Sequence, residues 1–537
     1  MAPADERSAR PGADADVVIV GAGILGIYQL YAASRAGYSV RLLEQGGGVG
    51  GTWYWNRYPG CRFDSESYTY GYLFSEELWQ EWDWSEEFAG QPETERYLNY
   101  VVDRFGLRRH IRLGSRVTSA AWDENSATWR TRTADGFEAR SQYLVSATGV
   151  LSVPQFPEVP GREDFAGESY HTGRWPSGAV SFRGKRVAVV GTGSSGVQVA
   201  PAIAGEAESL TVYQRTPTWA TPLNNHPISE EERAWLKASF RSIRAELEAS
   251  VTGFLHKPAT RDTFDDTAEE RRAFYEEIWS SPGFSKLTAN YKDLLVSPEA
   301  NAQWCAFMEE KIRGLVTDPA TADRLIPADH LYGGLRPPFV TGWYEMFSRP
   351  NVSLVSLKET PMVKVTETGI ETSDGTREFD MIIWATGFDF GTGAMRRMGI
   401  TGAGGLPLAA HWADGPQTYL GLMARGFPNL FFPGGPHGAS GNNPRYGALQ
   451  VDFTQNLIDY AREHGFRRIE VPADEEEAWM AMIEKLRKYS SFQERGQYYG
   501  GNTPGKARRF LLNPGGRPKL DQFMARAIDR GYQGFLR

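Results

Sequence analysis

Cysteine is scarce: Cys61 and Cys305 are the only two in 537 residues, too few for a disulfide framework and too far apart for a metal-ligand spacing. That usage fits a reducing compartment, so the chain is expected to be cytoplasmic, with two small buried thiols and no metal. Cations are also in deficit. Lysine and arginine number 58 against 66 aspartates and glutamates, a formal net charge of -8. A phosphate backbone demands clustered cations, so nucleic acid is excluded as the main partner. No membrane association and no obligatory protein partner are expected either. Long apolar runs are missing too. The nearest, VVIVGAGILGIYQLYAA, is short, holds three glycines in six residues and a glutamine, and reads as strand, turn and helix. The opening MAPADERSARPGADAD is polar and has no apolar signal region; residues 1–15 read as a disordered lead-in.

What the chain does have is 41% hydrophobic and 13% aromatic residues, ample for cores. Its length corresponds to about three or four structural units. Two segments are of one type: DVVIVGAGILGIYQLYAASRAGYSVRLLEQ from Asp16 and KRVAVVGTGSSGVQVAPAIAGEAESLTVYQR from Lys185. Each is a β-branched run, a G-x-G-x-x-G turn, a helix-length stretch and a second β run, the βαβ unit of dinucleotide binding. Gly21, Gly23 and Gly26 in the first, and Gly191, Gly193 and Gly196 in the second, permit a tight turn, close approach of a pyrophosphate and packing of helix on strand. The fold class is therefore α/β, with two Rossmann-like dinucleotide-binding domains. Between Ser229 and Asp323 the texture becomes charged and helical, with Ser229 and Glu232 spaced as a capping box. Strand character returns at NVSLVSLKE and REFDMIIWATGFD. The ATG at 385–387 matches that of LVSATG at 144–149, and both are read as crossings between nucleotide domains. The expected division is a first domain of residues 16–149 and 388–537, a second of 150–220 and 331–387, and a helical insertion of 221–330.

The residue closing the second strand of each unit meets the adenosine ribose and separates the cofactors. Glu44, a carboxylate that accepts from free ribose hydroxyls and repels a 2'-phosphate, selects FAD for the first unit. Arg215, followed by Thr216, offers a guanidinium to a 2'-phosphate and selects NADPH for the second.

With these units stands the stretch FAGESYHTGRWP. It matches the F-x-G-x-x-x-H-x-x-x-W-P fingerprint at Phe165, Gly167, His171, Trp175 and Pro176. A second pattern matches GGTWYWNRYPGCRFD, from Gly50 through Trp53, Tyr58, Pro59 and Gly60 to Asp64. On these residues the chain, from about Asp16 onwards, resembles the type I Baeyer-Villiger monooxygenases. The resemblance implies NADPH- and oxygen-dependent conversion of a small-molecule ketone to an ester or lactone, through a flavin peroxide and its adduct with the carbonyl. It implies that Thr52, Trp53, Asp64, Ser194 and Ser195 contribute to cofactor binding beside the glycines. It also implies that His171 lies in the linker and couples cofactor binding to domain movement. The segment YGGLRPPFVTGWYEMFSRPNV resembles the family stretch that carries the active-site arginine, here Arg336, with Asp64 as its orienting carboxylate. A guanidinium stays charged at working pH and favours both the peroxide anion and the charged adduct. Two positions depart from the family: Leu335 where lysine is usual, which shifts the 2'-phosphate contact onto Arg215, and Gln497 where the C-terminal loop usually has tryptophan. The rival reading is a related flavin monooxygenase acting on N or S atoms, whose fingerprint lacks the Trp-Pro ending. A disulfide reductase needs a redox cysteine pair, and Cys61 has no near partner.

Overall fold

The computed structural model describes residues 13–488 and 509–536; most of the expected lead-in and Gln497 lie outside these residues. Two parallel cores form where the sequence places its β-branched runs. Strand β1 (Ala15–Val20) pairs in parallel with β2 (Val40–Leu43) on one side and β6 (Glu138–Ser146) on the other, and β2 pairs with β3 (Ile111–Arg112). The antiparallel strands β4 (Val117–Asp123) and β5 (Thr128–Thr133) extend this sheet from β6. The second sheet is wholly parallel. It contains β7 (Glu168–His171), β8 (Arg186–Val190), β9 (Ser209–Gln214), β10 (Val352–Ser356) and β14 (Met381–Trp384), in the order β10-β9-β8-β14-β7. Val17, Val18 and Ile19 in β1, and Val187, Ala188 and Val189 in β8, are fully buried, as strands covered on both faces must be. A small antiparallel sheet of β11 (Met362–Thr366), β12 (Gly369–Thr372) and β13 (Gly375–Glu378) lies between β10 and β14 in sequence. Near the chain's return, β15 (Ile400–Thr401) joins β4 and β16 (Leu430–Phe431) joins β6.

The two units repeat each other in detail. After each core strand the chain turns at a left-handed glycine, Gly21 (φ +103°) or Gly191 (φ +110°). A Cβ there would lie 2.6 Å from the carbonyl oxygen of Ala147, or 2.5 Å from that of Ala385. These alanines begin the two ATG triplets, so each triplet closes against the glycine turn of its own sheet. At both crossings the chain leaves its sheet and pairs with itself. Gln155 donates its amide to Gly387 at 2.9 Å, Thr386 Oγ1 donates to Gln155 at 2.6 Å, and Asp389 donates its amide to Val153 at 2.9 Å. Among the described residues, the chain connections between the two sheets thus pair with each other.

Between β9 and β10, residues 230–325 carry helices Glu230–Ala238, Phe240–Ala249, Ala268–Ser280, Pro298–Leu315 and Pro319–Leu325. Ser229 and Glu232 form the reciprocal capping box that their spacing predicts. Lys237 fixes this layer to the first unit. Its ammonium donates to the carbonyls of Trp79, Gln80 and Trp82 at 2.7–2.8 Å, at the negative end of helix Glu76–Glu81.

His437 holds the returning segment. Its Nδ1 lies 2.9 Å from Thr418 Oγ1, its Nε2 donates to the Phe510 carbonyl at 2.8 Å, and its amide donates to Leu511 at 2.7 Å. Complete burial pushes the imidazole down from 6.5 to about 4, against the opposing effect of the Phe510 carbonyl. The unfolded chain therefore takes up a proton that the folded chain refuses, and this contribution to stability is lost as pH falls from 6.5 towards 4. We expect the wild-type stability to decline across that window with a slope of about 1.4 kcal/mol per pH unit from this group. His437→Gln, which retains a donor for Phe510, should show a shallower decline in denaturant titrations at pH 6.5 and 4.5.

Candidate active site

Both glycine turns open onto helix N-termini, and the middle glycines reveal what the turns are for. Gly26 and Gly196 are fixed by folding, since a Cβ would lie 1.9 Å or 2.1 Å from the carbonyl oxygen of the first glycine in its turn. Gly23 and Gly193 are not. They cap helices Ile24–Arg35 and Ser194–Ile203 in ordinary extended geometry. A Cβ at Gly23 would meet only Gly51 Cα at 3.7 Å, and at Gly193 nothing within 4 Å. The protein leaves these positions bare over free helix N-termini, the arrangement a pyrophosphate fits.

Around the first turn, Glu44 is buried, with Oε2 accepting from the Ala22 amide at 2.8 Å and Oε1 from Gly46 at 2.7 Å. Burial raises its pKa, and those amides together with the Arg174 guanidinium oppose the rise. Arg174, an unassigned position of the fingerprint, stacks 4.3 Å over the Trp55 ring and donates to the carbonyls of Gly173 and Ser152. Thr52 is exposed at the start of helix Thr52–Trp55, and Trp53 is buried, donating Nε1 to Tyr70 at 3.0 Å.

At the second turn, Ser195 Oγ lies 3.0 Å from Thr172 Oγ1, and Thr192 donates to the Thr216 carbonyl at 2.8 Å. Arg215 is exposed, and among the described residues it has no ion-pair partner. Leu335 is half-buried.

Arg336 and Asp64 meet. Nη2 of the arginine donates to both carboxylate oxygens, at 2.7 and 2.6 Å, and Nη1 donates to Ser194 Oγ at 3.2 Å. The guanidinium lies 5.3 Å from the centre of the Phe284 ring, contributed by the helical layer. One cation thus touches the second tryptophan-bearing motif, the second glycine turn and the insertion. That motif reaches its place by packing on helix Ser194–Ile203. Tyr58 donates to Gln198 Oε1 at 2.8 Å, Gln198 donates to the Arg62 carbonyl at 3.0 Å, and Gly60 (φ +79°) lies where a Cβ would be 2.6 Å from the Gln198 carbonyl oxygen.

The fingerprint lies at these crossings. Phe165 and Gly167 pack together beside Asp380, ahead of edge strand β7. The buried His171 sits with its ring 4.9 Å from Phe156 and 5.8 Å from Phe388, one on each crossing segment. Its Nδ1 accepts from the Gly173 amide at 2.9 Å, and burial lowers it to about 4, so it is neutral at pH 7. Trp175 is buried and donates its amide to the Trp55 carbonyl at 3.1 Å; Pro176 follows it, half-buried. The fingerprint therefore joins the second sheet, through β7, to helix Thr52–Trp55, which follows β2 of the first unit.

Sequence reasoning missed Arg174, Phe284 and the helix Asn443–Glu463, whose start packs on the first turn: a Cβ at Gly447 would lie 2.4 Å from Leu25. The last had a signal, the glycine-rich GGPHGASGNNP with proline in the first helical turn. The other two had none, since an arginine and a phenylalanine in loops look alike wherever they point. Cys61 and Cys305 are buried, free thiols, so no disulfide chemistry resides here. Among the described residues no helix is long and apolar enough to cross a membrane, and no cluster could hold a metal ion.

Residues 18–287 match the family described as pyridine nucleotide-disulphide oxidoreductase. The chain is 40% identical to 2-oxo-Delta(3)-4,5,5-trimethylcyclopentenylacetyl-CoA monooxygenase of Pseudomonas putida, over 97% of this chain and 98% of that protein. It is 39% identical to acetone monooxygenase (methyl acetate-forming) of Gordonia sp., over 97% and 98%. It is 34% identical to a Baeyer-Villiger monooxygenase of Pseudooceanicola batsensis, over 99% and 98%. The crystal structure of OTEMO in complex with FAD and NADP is similar with a TM-score of 0.94 at 40% identity, covering 97% of this chain and 99% of that one.

The glycine geometry separates folding from binding. Gly196→Ala should destabilise the protein by about 3 kcal/mol or more, whereas Gly193→Ala should stay within about 1 kcal/mol of wild type in denaturant titrations. Gly193→Ala should nonetheless lose dinucleotide binding, measured by calorimetry. Equal stability of the two variants would contradict this division.

Proposed function

The chain belongs to the Baeyer-Villiger monooxygenases, within the pyridine nucleotide-disulphide oxidoreductase family, and we propose that Arg336 is the residue on which its oxygen transfer depends. It is an FAD- and NADPH-dependent oxidoreductase that converts a ketone to an ester or lactone. When bound, NADPH would supply a hydride and FAD, reduced by it, would activate O2, the source of the inserted oxygen atom. The first turn, with Gly21, Gly23, Gly26, Glu44, Thr52 and Trp53, is assigned to FAD. The second, with Gly191, Gly193, Ser194, Ser195, Gly196, Arg215 and Thr216, is assigned to NADPH. The bare Cβ positions at Gly23 and Gly193 support both assignments. The two sheets and the helical layer support the division into a discontinuous FAD domain, an NADP domain and an insertion at the boundaries read from the sequence.

The observation that carries the reading is the bridge from Asp64 through Arg336 to Ser194. Oxygen insertion beside a carbonyl places negative charge on the carbonyl oxygen. A guanidinium already oriented by Asp64 stabilises that charge without reorganising as it appears. Phe284 packs against one face of the same cation. The carboxylate tempers the positive charge, so that the site also admits a hydride donor. His171, neutral and wedged between the two crossing segments, suits control of how the domains move and not proton transfer. Oxygenation of a soft N or S atom is the weaker reading, because it develops no carbonyl oxyanion for Arg336 to meet. The partners are then a small ketone and O2, without nucleic acid or an obligatory protein. A cytoplasmic location is proposed on the free thiols.

Arg336→Ala should retain FAD, oxidise NADPH and release hydrogen peroxide. Its ester formation should fall by about a hundred- to a thousandfold, the loss of about 3–4 kcal/mol of charge stabilisation. Product analysis with stopped-flow absorbance checks this, and ester at near wild-type rate refutes the role. Arg215→Ala should raise KM for NADPH about tenfold or more while leaving KM for NADH nearly unchanged, since a charged hydrogen bond is worth about 1.5–3 kcal/mol. Equal effects on both coenzymes would place the 2'-phosphate elsewhere.

A further inference from the structure

Two residues beyond Asp64, the chain buries a second carboxylate. Glu66 is 2% exposed, and its Oε1 lies 2.6 Å from Nε2 of His256, on the helical insertion. Its Oε2 accepts from Thr69 Oγ1 at 3.1 Å. On the far side of the imidazole, Nδ1 lies 3.0 Å from Thr288 Oγ1, and Thr288 also bonds the Phe284 carbonyl at 2.9 Å. Complete burial would raise the Glu66 carboxyl, yet the close contact with His256, aided by Thr69, holds it below its usual range. A carboxylate buried this deeply is tolerable only while paired, so the contact ties the 64–69 segment firmly to the insertion.

The same three segments build the surroundings of Arg336. Segment 64–66 carries Asp64 at one end and Glu66 at the other. Segment 254–256 carries Phe254 and His256, and Phe254 stacks on Phe284 at 4.7 Å between ring centres and on His256 at 5.8 Å. Segment 283–288 carries Phe284 and Thr288, and its Gly283 (φ +43°) presses so closely on the first segment that a Cβ would lie 2.9 Å from the Asp64 carbonyl oxygen. Two layers result. In one, Asp64 and Phe284 hold Arg336; in the other, Glu66, His256 and Thr288 hold the segments on which Asp64 and Phe284 stand.

We propose that the Glu66–His256 pair, backed by Thr288, is a positioning device that keeps Asp64 and Phe284 set against Arg336 during oxygen transfer. Neither residue touches the reacting atoms. The proposal rests on the role of Arg336 given above and adds the residues through which the insertion controls it. Breaking the pair frees the Asp64 segment to shift, which misplaces the cation and lets the activated oxygen escape as peroxide.

The test compares His256→Ala with His256→Gln, whose side-chain amide offers Glu66 a donor in place of the imidazole. Four quantities are read: ester formed per NADPH oxidised, hydrogen peroxide released, flavin reduction by NADPH in rapid mixing, and hydrogen exchange at the amides of Thr69 and Tyr70, both bonded to the Glu66 carbonyl. In His256→Ala, ester per NADPH should fall about fivefold, with peroxide accounting for the difference. Flavin reduction should be unchanged and amide exchange at Thr69 and Tyr70 faster. His256→Gln should recover most of the yield. If His256→Ala fails to fold, Thr288→Val removes the supporting hydroxyl alone and should show the same change to a lesser degree. Ester lost in Arg336→Ala but undiminished in the folded latch variants overturns this proposal alone. A proportional fall in flavin reduction and ester also overturns it, by making the pair merely structural. Ester undiminished in Arg336→Ala removes the arginine's role and the positioning device with it.

Discussion

A guanidinium bonded to a carboxylate 272 positions away is the constraint on which the other features converge. For Arg336 to reach both Asp64 and Ser194, the loop carrying Asp64 must pack on helix Ser194–Ile203, and the insertion must place Phe284 over the remaining face. Each requirement is met by a local device: Gly60 allows the close approach of loop and helix, Tyr58 and Gln198 lock the two together, and Gly283 lets the insertion lie against the Asp64 backbone. None of these devices carries chemistry of its own. Together they fix a charge that would otherwise move freely in solvent, and a fixed charge costs no reorganisation when negative charge appears beside it.

The dinucleotide turns show a different economy. Each is built twice, and in both copies the first and third glycines answer to the protein's own backbone while the middle glycine faces open space. Each ATG triplet serves two purposes, closing against the turn of its sheet and launching the chain into the other. The crossing thus lies directly beside each glycine turn. His171 sits between Phe156 and Phe388 at the two crossings, buried, with its Nδ1 accepting from the Gly173 amide.

Much of this was legible beforehand because it depends on short-range patterns. The strand-turn-helix units follow from local periodicity and from glycines at fixed spacing. The capping box at Ser229 and Glu232 follows from a reciprocal bond three residues long, and the parallel pairing at the core of each sheet, β1 with β2 and β8 with β9, follows from β-branched runs joined by a helix. The fingerprint residues and the Arg336–Asp64 pair were legible only through resemblance, since nothing in the residues around Arg336 distinguishes it from an ordinary loop arginine. Its meeting with Asp64 is a property of packing.

The sequence by itself therefore determined the two strand-turn-helix units and the charged helices between β9 and β10, since each is set by neighbours in the chain, while the type of chemistry was legible through the family resemblance of its motifs. Tertiary structure alone decided which loops share a site. Arg174 stacks on Trp55 and acts on Glu44, Phe284 covers Arg336, and Glu66 is buried against His256, 190 positions further on. The physical reason is that these contacts are made by side chains on segments with no periodicity, whose direction is fixed only when the sheets and the helical layer have packed. Until then a carboxylate two residues from Asp64 is one acid among many; once buried, it has to find a partner, and the partner it finds joins the insertion to the site.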